Sequence, residues 1–118
     1  DGRAYLYMDG REVYKFAVVK MQQVIQQTLE EAGVEADQID LIIPHQSNLR
    51  IIEATRERLG VDPQRMYINI DRYGNTSAAS IPIALDEARR SGRIGPGSLV
   101  LLVAVGAGMT WASALLQL

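Results

Sequence analysis

Two segments of this 118-residue chain put hydrogen-bonding side chains where a short apolar run gives way to a helical one. The first is Pro44-His45-Gln46-Ser47-Asn48, which carries the only histidine of the sequence. The second is Asp71-Arg72-Tyr73-Gly74-Asn75-Thr76-Ser77. A neutral imidazole and a carboxamide can each donate a hydrogen bond to one carbonyl or thioester oxygen as it gains negative charge, and fixed donors of this kind are each worth a few kcal/mol of transition-state stabilisation. His45 and Asn75 are therefore a candidate pair if the fold brings both to one edge of a sheet. Each segment also has a plain structural reading. A lone histidine is often a packing residue, and Gly-Asn ahead of a helix is ordinary turn and N-cap chemistry.

Other candidates are weaker. Gly106-Ala107-Gly108 either brings backbone close to a ligand or merely reverses the chain. It lacks the rest of the dinucleotide fingerprint and opens no helix, which argues against nucleotide binding. Ser47 and Ser77 sit in no Gly-x-Ser-x-Gly elbow, and Ser47 lies two residues from His45, which argues against a serine hydrolase. Arg50, Arg56 and Arg58 follow His45, and Lys15 begins an earlier helix. Such charges form either a solvated face or a docking patch for an acidic partner, with Glu53 and Glu57 weakening the field.

The elements that must position these side chains follow from periodicity. Tyr5–Met8 reads as a strand closed by Asp9-Gly10. Apolar positions at helical spacing predict a helix over Val13–Ala32, with Gly33 as its terminator. Ile39–Ile43 is a β-branched run stopped by Pro44, and Leu49–Leu59 is a helix ended by Gly60. Met66–Ile70 is strand-like, and Thr76–Ser91 is helical with Pro82 as a kink or irregular first turn before Gly92. Gly95-Pro96-Gly97 turns the chain into Leu99–Val105, and Met109–Leu118 is a last strand. The order βαβαβα followed by ββ predicts one α/β domain over residues 1–118, a five-stranded mixed sheet flanked by helices.

Composition narrows the function classes. Fourteen acids against 12 bases give a net charge of −2, so no chain-wide basic footprint for nucleic acid exists. The chain has no cysteine, hence no disulfide, thiolate metal site or cysteine nucleophile of its own, and one histidine argues against structural zinc. No metal site is expected. No apolar run approaches the ~20 residues that span a bilayer, and no basic-then-apolar leader opens the sequence. A soluble, cytoplasmic protein that binds neither membrane nor nucleic acid is the expectation.

Three stretches resemble a known family. Pro44-His45-Gln46-Ser47-Asn48-Leu49-Arg50-Ile51-Ile52, Gly74-Asn75-Thr76-Ser77-Ala78-Ala79-Ser80 and Gly106-Ala107-Gly108-Met109-Thr110-Trp111 are similar to the carboxy-terminal half of β-ketoacyl-[acyl carrier protein] synthase III. The resemblance covers nearly the whole chain from Tyr5 onward. It implies a thiolase-like fold of two similar halves and a homodimeric enzyme with a Cys-His-Asn active site, whose cysteine lies in the other half. His45 and Asn75 match the histidine and asparagine. Asn48 matches an asparagine near the pantetheine arm, Gly106 lines the acyl pocket, and Arg50 is associated with carrier-protein docking. Val105 stands where some members carry a bulkier aromatic residue, which leaves acyl chain length open.

The implied reaction starts fatty acid synthesis. The cysteine takes an acyl group from acyl-CoA. Malonyl-ACP then loses carbon dioxide, and its enolate, held by His45 and Asn75, attacks the acyl-cysteine. Acyl-CoA and malonyl-ACP are substrates, and no cofactor is implied. Partners are acyl carrier protein, the amino-terminal half and a second subunit, and the isolated chain is expected to be inactive. The alternative is a non-catalytic half-domain that self-associates and binds CoA or carrier protein. On either reading the apolar last strand and the small-residue stretch Ser77-Ala78-Ala79-Ser80 are expected to face another half or subunit.

Overall fold

A computed structural model describes residues 10–45, 49–69, 80–106 and 110–118, without the side chains of 10–13, 105, 106 and 110. Its elements in chain order are α1 (Gly10–Ala32), β1 (Leu41–Pro44), α2 (Leu49–Leu59), α3 (Ser80–Arg90), β2 (Leu99–Gly106) and β3 (Thr110–Gln117). Single 3-10 turns at Ala36–Gln38 and Pro63–Arg65 join them. Glycine ends the helices as the sequence predicts. Gly33 and Gly60 take φ of 67° and 68°, a left-handed conformation that only glycine adopts at little cost. Each lets the following amide reach back, Val34 N–H to the Leu29 carbonyl and Val61 N–H to that of Arg56.

β1 and β2 run parallel and β2 and β3 antiparallel, in the spatial order β1-β2-β3. Register is pinned at the start of β1, where the Leu99 N–H donates to the Asp40 carboxylate at 2.8 Å and the Asp40 N–H to the Leu99 carbonyl. Leu41 then pairs with Val100 and Pro44 with Val103. The strand therefore runs through Pro44 instead of stopping before it. The His45 N–H donates to the Val103 carbonyl at 2.8 Å, so the position before it faces away from β2 and a proline there costs that ladder no bond.

Five strands were expected, and among the described residues there are three. Tyr5–Met8 lies outside the described residues. Of the expected strand Met66–Ile70, residue 70 lies outside the described residues, and 66–69 show a single parallel bridge, Met66 to Ile42, with the Tyr67 N–H on the Ile42 carbonyl at 2.9 Å. Pro44 explains the short pairing, because the next rung of that ladder needs an N–H from residue 44. The third helix is described from Ser80 to Arg90, and the start expected at Thr76 lies outside the described residues.

Helices cover both faces. Val24, Ile25 and Leu29 of α1 and Ile52 of α2 pack with Met66 on Ile42, Leu101 and Val103. On the other face Ala84 and Ala88 of α3, with Tyr67 and Ile94, meet Leu41, Ile43 and Val100. Alternation along β1 and β2 sends successive side chains to opposite faces.

Candidate functional site

The chain leaves β1 through α2 to the Met66 side and returns through α3 to β2 on the opposite side. Right-handed crossovers in these two directions put α2 and α3 on opposite faces and make the carboxyl end of β1 a switch point, where open α/β sheets bind ligands. His45 is the residue at that end. Its backbone is tied to β2, and its half-buried ring is held from the other side, with Nδ1 2.6 Å from the Ser80 hydroxyl. Ser80 is buried at the first turn of α3. Burial, which disfavours the charged form, holds the His45 imidazole below its ordinary value of 6.5. At neutral pH the ring is an uncharged donor–acceptor pair with one nitrogen engaged by Ser80.

The remaining candidates distribute unevenly. Gly106 ends β2 opposite Thr110, at the same carboxyl edge as His45. Arg50 is exposed on the first turn of α2, with its guanidinium 5.5 Å from the Tyr14 ring, and the Tyr14 hydroxyl donates to the Arg50 carbonyl at 3.3 Å. Asn48 and Asn75 lie outside the described residues, so the convergence of Asn75 on His45 does as well.

Of the other basic residues, Arg56 is turned inward. It pairs with Glu53 at 3.1 Å and caps the end of α2 by donating to the Val61 carbonyl. Arg58 is exposed and bonds Gln22 of α1 at 2.7 Å, and Lys15 is exposed on α1. Among the described residues no cluster of His, Asp and Glu has a metal-ligating arrangement. Sequence reasoning missed the role of Ser80, noted only as a small residue. Its partner is 35 positions away, and no local pattern carries that contact.

Comparison with known proteins places the chain in a family. Residues 29–118 match the family model described as 3-oxoacyl-[acyl-carrier-protein (ACP)] synthase III C terminal. The β-ketoacyl-[acyl-carrier-protein] synthase III of Sodalis glossinidius is 54% identical over 114 residues, which are 97% of this chain and 36% of that protein. The solved structure of the Thermus thermophilus synthase III superposes with a TM-score of 0.90 at 56% identity, over 95% of this chain and 35% of the other. The Aquifex aeolicus 3-oxoacyl-[acyl-carrier-protein] synthase III gives 0.90 at 48% identity, over 95% and 36%. The chain thus spans little more than a third of the length of these relatives.

Proposed function

The chain belongs to the β-ketoacyl-[acyl carrier protein] synthase III family as a C-terminal part, and from that premise we propose that it supplies the donor side of a condensing active site. One observation carries the proposal. His45 stands at the carboxyl end of β1 with its half-buried ring 2.6 Å from the Ser80 hydroxyl and its pKa lowered by burial, which favours the neutral imidazole an oxyanion donor needs.

In the reaction proposed, malonyl-ACP presents its thioester carbonyl to His45 and Asn75. The bond to the carboxylate breaks, carbon dioxide leaves, and the electron pair moves into the enolate whose oxygen both side chains hold. The enolate carbon attacks the acyl group on a cysteine, and the thiolate departs as the new carbon–carbon bond forms. With no cysteine in its 118 residues, this chain depends on a cysteine from another part of the enzyme. The acyl group comes from acyl-CoA, and no resident cofactor is required. Asn48 steadies the pantetheine arm, Gly106 lines the acyl pocket, and Arg50 meets the acidic carrier protein. The working enzyme is a cytoplasmic homodimer.

A chimera tests this reading. The chain replaces the matching C-terminal part of the Thermus thermophilus enzyme, and acetoacetyl-ACP formation from acetyl-CoA and malonyl-ACP is measured. Product that falls at least 100-fold on Asn75→Ala is expected, by the weight of one oxyanion donor. A folded chimera that binds malonyl-ACP without turnover overturns it.

A further inference from the structure

We infer that Ser80 is a positioning residue for His45, donating its hydroxyl proton to Nδ1 and so fixing the imidazole as the tautomer that carries its proton on Nε2. The juxtaposition is direct, since Nδ1 and the Ser80 oxygen stand 2.6 Å apart although 35 residues separate them in the chain. Ser80 is buried, which makes a hydroxyl there costly unless it is hydrogen-bonded. The donor direction follows from the role proposed for the ring, since an imidazole that gives its Nε2 proton to a thioester oxygen accepts at Nδ1.

Both partners are held. The His45 backbone is fixed by the Val103 carbonyl, and α3 is seated by Ala84 and Ala88, both fully buried against the sheet. Small side chains let a helix come close to the sheet, so a short serine suffices to span the gap. A neutral imidazole that accepts at Nδ1 donates at Nε2. The direction rests on the proposed function, in which Nε2 serves the thioester oxygen, whereas the contact between His45 and Ser80 does not depend on it.

The chain has one histidine, so nitrogen NMR of protein labelled with 15N-histidine reads this ring without ambiguity. Expected is a single tautomer, Nδ1 bare and Nε2 protonated, kept in Ser80→Thr and replaced by a mixed signal in Ser80→Ala. A wild-type ring protonated on Nδ1, or one unchanged in Ser80→Ala, overturns the inference. If Ser80→Ala does not fold, the wild-type and Ser80→Thr spectra decide. In the chimera, Ser80→Ala should cut malonyl-ACP decarboxylation about tenfold through kcat with KM unchanged, and Ser80→Thr should restore it. An equal loss in both variants would make Ser80 a packing residue. The expected tautomer together with a His45→Ala chimera of full activity would retain the positioning role and refute the condensing role.

Discussion

The two faces of the sheet are built from different material. Beneath α1 and α2 the contacts are large and apolar, with Met21, Ile25, Ile52, Met66 and Leu101 almost wholly out of water. Beneath α3 the buried apolar residues of the helix, among those described, are the small Ala84 and Ala88, and polar contacts stand at its margins. The Tyr67 hydroxyl donates to Glu87, the Arg93 guanidinium lies 5.0 Å from the Tyr67 ring, and Ser80 meets His45. Hydrophobic burial scales with area and has no direction, whereas hydrogen bonds and small residues fix distance and angle. The first face stabilises the domain. The second aims the side chain that the site needs.

That contrast orders the expected effects of substitution. Ile52→Ala, on the large-residue face, should cost about 2–5 kcal/mol in denaturant unfolding, because a wholly buried branched side chain leaves a cavity. A cost under about 1 kcal/mol would mean that this face is not the main store of burial. Ala88→Leu, on the thin face, should cost about 1–3 kcal/mol by overpacking. It should also push α3 off the sheet and lengthen the His45–Ser80 contact, visible as a change in the His45 ring signals. Ile52→Ala should leave those signals in place, and a reversal of the two outcomes would break the division between the faces.

A smaller effect comes from pH. The His45 value is lowered in the folded chain, so between that value and 6.5 the unfolded chain binds more protons than the folded one. Stability should be full above 6.5, fall as the pH drops below it, and level off beneath the folded-state value. Unfolding midpoints of wild type and His45→Gln across that range check the sign, since the variant should lose this component. Least of all, Asp86→Ala should change stability by about 0.5 kcal/mol or less, because its 3.0 Å pair with Arg90 is largely exposed to water.

Local signals made much of the scaffold legible in the sequence. The bounds Leu49–Leu59 follow from helical spacing and a terminal glycine, and Gly33 and Gly92 stop their helices for the same reason. Pro44 was read as a strand stop because a proline removes a donor. Only the pairing partner reveals that the missing donor faces away from β2. The same geometry accounts for the single bridge, Met66 to Ile42, among the described residues there. At the site, the position of His45 at a strand end was legible, whereas the Ser80 contact depends on how α3 crosses the sheet. The apolar last strand was expected to need cover. In the structure Trp111 on β3 remains 49% exposed, with the Lys20 ammonium 4.0 Å from its ring.

The most direct test of the central claim is the rate of malonyl-ACP decarboxylation by the chimera with and without His45→Ala. A preorganised donor at the end of β1 calls for a drop of at least 100-fold with the unfolding midpoint held, since one oxyanion donor is worth about that factor. An unchanged rate in a folded variant would show that His45 does not hold the reacting oxygen.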